Sequence, residues 1–202
     1  MPNNSDIVFT PAARRAQAER GSARHYDKKA EAGFPNRITA ELAGFVTALD
    51  TAFLGTVSAD GAPYIQHRGG PKGFIKVLDE RTLGFADFAG NRQYITISNL
   101  EGNDRAFLFL LDFANRRRIK LWGRAHLVED DATLLAQLVD AGYKARPERA
   151  ILFTVEAWDV NCSQHITERY TTAEVAQVVD GLSQRIAALE AENAALRRTS
   201  GM

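Results

Sequence analysis

A series of short apolar segments joined by tight turns limits the folds open to this chain. The Asp60-Gly61 pair between the first two segments is typical of a hairpin turn. The segment RAFLFLLDF is apolar enough for a strand that is buried on both faces. Six or seven strands with hairpin links predict a mainly β (α+β) protein, an antiparallel barrel with peripheral helices. The segments are TAFLGTVS, YIQHRGG, GFIKVLD, TLGFADF, RAFLFLLDF, RIKLWGRAHLVED and AILFTVEAWDV.

Helical patterns surround and interrupt this series. Residues 1–36 are polar and predict a charged, solvated helical arm. The segment ITAELAGFVTALD has one apolar stripe with helical spacing. QYITISNLEGN predicts a short helix after the fourth strand, and DATLLAQLVDAGY predicts another before the last strand. We therefore divide the chain into an arm (1–36), a barrel (37–170) and a C-terminal helix (171–202).

The C-terminal helix carries a heptad pattern. Thr171 and Glu174 have the spacing of a capping box at its start. A heptad with one Asn at an a position favours a two-stranded coiled coil over the alternative, a single helix packed on its own domain. The d positions are Val175, Leu182, Leu189 and Leu196, and the a positions are Val179, Ile186 and Asn193.

Charge and composition exclude several classes of function. Lysine plus arginine and aspartate plus glutamate both total 25, so the chain lacks the basic excess of a general nucleic-acid binder. The single cysteine, Cys162, excludes an intrachain disulfide, and the N-terminus has no signal-peptide core. No segment is apolar enough to span a membrane. The sequence also lacks zinc, nucleophile-elbow, P-loop and Rossmann motifs. We expect a cytoplasmic protein without bound metal.

Polar residues concentrate between the second strand and the short helix. Glycines at 69, 70 and 73 allow a flat ligand to approach the backbone. Lys76 and Arg92 would supply positive charge for a phosphate, and the helix that follows Gly90 would add N–H donors. The cluster comprises Gln66, His67, Arg68, Lys76, Asn91, Arg92 and Gln93.

The run from YIQHRGG to FLFLLDF, followed by NRRRIKLWGRAHLVED, resembles the pyridoxamine 5′-phosphate oxidase-like superfamily of FMN-binding split barrels. It is most similar to a branch known as predicted flavin-nucleotide-binding proteins, which shares the ending AWDVNCSQHI. The resemblance covers residues 38–168. It implies a split barrel, FMN as cofactor, and a homodimer with the flavin at the subunit interface.

The resemblance also assigns residues to the flavin site. Lys76 matches the lysine that ends a strand in the oxidases, and residues 90–92 fall on their Ser-Arg-Lys loop, where only Arg92 keeps a positive charge. Arg68 lies near a flavin-contacting arginine. Arg118 stands where the oxidases carry a glutamine from the second subunit. The expected FMN site is therefore Arg68, Gly73, Phe74, Ile75, Lys76, Asn91, Arg92, Gln93 and Arg118.

One departure bears on the reaction. The oxidases end with Arg-Leu-His-x-Arg, which holds the substrate phosphate, and this chain runs instead from Trp158 through DVNCSQHITERY into the heptads. We therefore expect an FMN-dependent oxidoreductase of unknown substrate that does not oxidise pyridoxamine 5′-phosphate. The alternative is a non-enzymatic flavin or deazaflavin carrier or sensor that acts through its coiled coil. His67 is the one titratable candidate beside the flavin ring, and the sequence places no axial ligand for haem.

Overall fold

The computed structural model describes residues 3–200 and divides them into two compact units. The first unit extends to Asp112 and includes Arg117–Gln164. The second comprises Phe113–Arg116 and the chain from His165 onward. None of the helices in the described range 3–200 has the length and apolar character needed to cross a membrane.

Seven strands form one sheet in the first unit, and each pair of neighbours runs antiparallel. Their order is β2-β1-β5-β6-β7-β4-β3, so β2 and β3 are the edges. The predicted antiparallel barrel is confirmed, and it is split between these edges. The strands are β1 (Thr51–Val57), β2 (Pro63–Gly69), β3 (Lys76–Val77), β4 (Thr82–Phe88), β5 (Arg105–Asp112), β6 (Arg117–Val128) and β7 (Pro147–Asn161).

Alternation of side chains places one face of the sheet on the core. Alternate residues of β1, β5 and β6 are buried, and they pack with the apolar face of helix α4. We call the opposite side of the sheet the outer face. The helices of this unit are α1 (Ser5–Val8), α2 (Pro11–Glu19), α3 (Ala23–Ala32), α4 (Ala40–Thr47), α5 (Ile95–Gly102) and α6 (Ala132–Leu138).

The strand predicted for GFIKVLD is shorter than its sequence pattern suggests. Phe74 and Ile75 are both buried but do not pair with β4. Gly73 has a φ of +77°, and only Lys76–Val77 pairs with β4. The second half of β4 therefore has no strand beside it on that edge.

The N-terminal helices are anchored to the outer face. The Phe34 ring lies 6.4 Å from the Trp122 ring of β6. Asn4 donates its side-chain N–H to the carbonyl oxygens of Phe34 (2.7 Å) and Glu156 (3.0 Å). These contacts hold the arm on β6 and β7 through a few specific groups, although most of its surface is polar.

The second unit contains the long helix α7 (Thr172–Ser200). The predicted capping box is present at its start, because Glu174 N donates to Thr171 Oγ1 (3.2 Å) and Thr171 N donates to Glu174 Oε2 (2.7 Å). In the same unit the Arg169 guanidinium lies 4.6 Å from the Phe113 ring centroid.

Candidate functional site

A pocket of about 230 Å³ lies at the split of the barrel. Its walls come from β2, the end of β4, the loop after β4, the first turn of α5 and the start of β7. We call it the arginine pocket. It is lined by Tyr64, Gln66, Arg68, Asp87, Phe88, Gly90, Asn91, Arg92, Gln93, Tyr94, Ile95, Thr96, Ile97, Glu148 and Arg149.

Strand register explains why charged side chains meet in this pocket. Asp87 follows Leu83 and Phe85 on the core face of β4, and it pairs with Arg149 of β7. Arg68 lies opposite the buried Ala52, so it projects from the same face of the edge strand β2. The core face thus changes from apolar to ionic at one end of the barrel.

Two guanidinium groups share one carboxylate there. Arg68 Nη1 is paired with Asp87 Oδ1, and Arg149 Nη1 lies 3.5 Å from Asp87 Oδ2. The three side chains are only 11–13% exposed. The buried atoms Arg68 Nε, Arg149 Nε and Arg149 Nη1 have no hydrogen-bond partner in residues 3–200. Arg149 Nε is 3.2 Å from Glu129 Oε1 but without hydrogen-bond geometry. Buried guanidinium nitrogens without hydrogen bonds favour an anion.

A loop with unusual backbone geometry forms the rim of the pocket. Arg92 and Tyr94 have φ values of 57° and 56°. Residues other than glycine adopt this left-handed backbone conformation only at a cost in free energy. Between them, Gln93 N donates to Asn91 Oδ1 (3.2 Å). The Arg149 guanidinium lies 5.8 Å from the Tyr94 ring centroid, within range of a cation–π contact. The Tyr94–Arg149 contact therefore ties this loop to β7 at the pocket.

Helix α5 begins at the pocket without a side-chain cap. The first N–H groups of a helix have no partner within it and favour negative charge. Buried polar contacts fix where this helix starts: Asn99 Nδ2 donates to Thr56 Oγ1 of β1 (3.0 Å), and Thr96 Oγ1 donates to Gln66 Oε1 of β2 (2.7 Å). The first turn of α5 is thus directed at the arginine pocket by bonds to two strands.

The carboxylate of Glu148 lies among further arginines. Its Oε1 is 2.8 Å from Arg146 Nη2 and 3.5 Å from Arg92 Nη2, and its Oε2 is 3.5 Å from Arg149 Nη2. Arg92 itself is 56% exposed, so its guanidinium is accessible to a ligand. The ionic side chains that line the pocket are three arginines and two carboxylates, which leaves one net positive charge.

The structure brings four of the nine predicted FMN-site residues together in the pocket: Arg68, Asn91, Arg92 and Gln93. Phe74 and Ile75 lie in the hydrophobic core, and Gly73 donates its N–H to the Leu49 carbonyl oxygen (2.8 Å). Lys76 Nζ is 2.5 Å from Asp140 Oδ1. Lys76 lies opposite Gly84, which is four residues before the end of β4. At about 3.3 Å per residue, this places Lys76 roughly 13 Å from the end of β4 that forms the pocket wall.

Arg118 lies on the outer face, in register with Leu111 of β5 and Asn161 of β7. Its buried Nε has no hydrogen-bond partner in the described chain. On the same face, burial lowers the pKa of Lys120; Asp159 opposes this shift, while Lys29 and Arg118 add to it. Within one chain Arg118 does not line the arginine pocket.

His67 belongs to the outer face as well. It pairs with Phe53 of β1, and its Nε2 lies 2.7 Å from Thr51 Oγ1. Its neighbours Gln66 and Arg68 point to the pocket, because successive residues of a strand face opposite ways. In the described chain no group of three or more His, Cys, Asp or Glu side chains is placed to hold a metal ion.

Asp87, Glu148 and Arg149 also line the pocket, although they are not among the predicted site residues. A usable signal was present for two of them. Asp87 continues the alternation of Leu83 and Phe85, and Arg149 continues that of Ile151 and Phe153. A charge on a strand face that is otherwise apolar marks a buried ionic site.

Comparisons with known proteins agree with this fold. A family model described as pyridoxamine 5′-phosphate oxidase matches residues 38–162, more than half of the chain. HupZ from Group A Streptococcus has a similar structure, with a TM-score of 0.51 and 18% identity over 66% of this chain and 99% of its own. An FMN-binding protein from Syntrophomonas wolfei gives a TM-score of 0.48 and 12% identity over 73% of this chain and 97% of its own. No curated protein matches the sequence. On the extent of the family match, the chain belongs to the pyridoxamine 5′-phosphate oxidase family.

Proposed function

We propose that this protein binds FMN with the phosphate in the arginine pocket and acts as an oxidoreductase in the form of a homodimer. The observation that carries the proposal is the buried Arg68–Asp87–Arg149 group, in which three guanidinium nitrogens make no hydrogen bond, within a pocket whose ionic lining has one net positive charge. Membership of the family, and an FMN-binding protein among the similar structures, support FMN as the anion.

The side chains fit a phosphate monoester. Arg92 offers an exposed guanidinium at the rim, which suits bidentate contact with phosphate oxygens. The uncapped first turn of α5 adds N–H donors on one side of the same site. Bound FMN would supply the electron-transfer chemistry, and the chain would orient it and adjust its potential through neighbouring charge.

The size of the pocket supports a homodimer. About 230 Å³ is below the range of roughly 300–1,000 Å³ that is usual for ligand sites. One chain would therefore enclose the phosphate end and leave the ring system to a second surface. The outer face offers such a surface, with Ile65 70% exposed and the rings of Phe53, Phe107 and Phe109 beside it. Arg118 lies on this face, where a partner subunit could present it to the flavin.

Titration of the purified protein with FMN tests the proposal. Each charge-assisted contact is worth about 1.5–3 kcal/mol, so Arg92→Ala should weaken FMN binding by about tenfold to a hundredfold. Lys76 remains a predicted second phosphate contact. It is paired with Asp140 and lies roughly 13 Å along β4 from the pocket at about 3.3 Å per residue, so Lys76→Ala should have a smaller effect than Arg92→Ala. Light scattering should give the mass of two chains for the FMN-bound protein.

Two controls isolate the phosphate. Riboflavin lacks that group, so its affinity should not change in Arg92→Ala. Arg105→Ala removes an exposed arginine that does not line the pocket and should leave FMN binding intact. Unchanged FMN affinity in both Arg92→Ala and Lys76→Ala would remove the proposed phosphate site.

A further inference from the structure

Helix α7 carries an apolar stripe that has no partner within the described chain. The d residues Val175, Leu182, Leu189 and Leu196 and the a residues Val179 and Ile186 are each between 38% and 59% exposed. No residue of this 29-residue helix is buried. A helix of this length is roughly 44 Å long at about 1.5 Å per residue. A stripe of leucine and valine along such a length marks an interaction surface.

The heptad composition indicates which kind of partner fits. β-Branched residues occupy a positions and leucine occupies most d positions, a distribution that favours two parallel strands. Asn193 is the polar residue at an a position. In a parallel, in-register pair it meets its own symmetry mate, and the two amides can satisfy each other.

Charged residues beside the stripe are complementary to a second copy of the same helix. In a parallel pair, a g residue faces the e residue five positions later in the partner. Arg185 would face Glu190, and Glu192 would face Arg197, both pairs of opposite sign. Each pair occurs twice by symmetry. Two copies of the helix are therefore complementary in charge when they are parallel and in register. A helix with an unrelated charge pattern would lack these contacts.

We propose that Thr172–Ser200 binds the same segment of a second chain as a parallel, in-register, two-stranded coiled coil. The partner is a second copy of this protein, and the binding surface is the a/d stripe from Val175 to Leu196. The capping box at Thr171 and Glu174 fixes where each helix begins. This inference rests on helix α7 alone and does not depend on flavin binding.

Disulfide cross-linking in the full-length protein tests register and direction together. In a Cys162→Ser background, Asn193→Cys places a thiol at an a position of each chain. Two cysteines bridge only when their Cα atoms are within about 7 Å. Parallel, in-register helices meet this condition at residue 193. We expect rapid oxidation to a covalent dimer at a rate that does not depend on protein concentration.

Ala191→Cys in the same background is the matched control. Residue 191 occupies an f position and faces away from the partner, so its cross-linking should be at least about tenfold slower. Circular dichroism verifies that both variants keep the helix. A charge reversal adds a second measurement: Arg185→Glu should slow cross-linking at residue 193 by roughly fivefold or less, as expected for exposed ion pairs, and adding Glu190→Arg should restore it.

Equal cross-linking rates at positions 191 and 193 would overturn the proposal, because they would indicate random collision of the two α7 helices. Absence of cross-linking at residue 193 in a helical protein would also overturn it, since the stripe would then be antiparallel, out of register or covered by something other than a second copy.

Discussion

Single side chains set the charge of the arginine pocket. Arg68 and Arg149 divide one carboxylate, and Glu148 contacts Arg92, Arg146 and Arg149 at 2.8–3.5 Å. A buried carboxylate beside an anion site opposes the anion by like-charge repulsion, although it also holds the arginines in place. Asp87 is the more buried of the two carboxylates and bridges β4 to β2. Glu148 is therefore the better position at which to alter charge without opening the barrel.

We expect Glu148→Gln to tighten FMN binding by about tenfold, or roughly 1.4 kcal/mol. The substitution keeps the shape of the side chain and removes the charge that competes with the phosphate for Arg92. Fluorescence titration with FMN and with riboflavin measures the effect, and only the FMN affinity should change. Glu156→Gln is the control, because Glu156 pairs with Arg124 and neither residue lines the pocket. Weaker FMN binding in Glu148→Gln would mean that Glu148 chiefly positions Arg92.

Among the structural elements, the β6–β7 pair has a bulge that demands one glycine. The register passes from Trp122 opposite Ala157 to Gly123 opposite Val155, so Glu156 has no partner on β6. A Cβ atom on Gly123 would lie 2.0 Å from the Thr154 carbonyl oxygen and 2.9 Å from the Phe153 ring. The first of these atoms belongs to the backbone and cannot move without displacing the strand.

Gly123→Ala should therefore lower the free energy of unfolding by about 1–3 kcal/mol or more. Urea denaturation followed by circular dichroism measures this loss. Gly44→Ala in α4 is a matched control, because no atom lies within 4 Å of its added Cβ. It should raise stability by about 0.5–1 kcal/mol through helix propensity. Wild-type stability in Gly123→Ala would show that the two strands can separate locally at no cost.

At the level of the complete chain, membership of the family does not establish which reaction the protein catalyses. After β7 ends at Asn161, the sequence proceeds to α7 without the Arg-Leu-His-x-Arg segment that binds substrate phosphate in the oxidases. Four of the nine residues expected at the FMN site line one pocket within a single chain, and Arg118 lies on the outer face. This division fits the proposed flavin site built from two subunits.

We expect no turnover of pyridoxamine 5′-phosphate by the FMN-loaded protein. Hydrogen peroxide release measures the reaction, and reduction of the bound flavin by NADH or NADPH serves as the control for a redox-active site. Steady reduction by a nicotinamide would support an oxidoreductase, and tight FMN with no electron donor would support a carrier. Oxidation of pyridoxamine 5′-phosphate at about 1 per second or more, a rate typical of enzymes, would contradict this expectation.

Local patterns in the sequence predicted most of the elements, with GFIKVLD as an exception because only Lys76–Val77 forms a strand. Alternation in TAFLGTV predicts β1, and the Thr171–Glu174 spacing predicts the capping box that the structure contains. The polar residues of the loop before α5 predict an anion-binding segment, and Asn91, Arg92 and Gln93 do line one pocket with Arg68. The alternation of β1 and the capping box depend on side chains a few residues apart, whose relative positions follow from helix or strand geometry alone.

Contacts between distant segments depended on the folded barrel. Arg68 meets Asp87 because the edge strand β2 closes against β4, and Arg149 joins them because β7 pairs with β4 in one particular register. Lys76 has the same charge as Arg92, yet the pairing of β3 with the first half of β4 places it beside Asp140. Local periodicity carries no information about strand order or register, because these are set by the packing of the entire core.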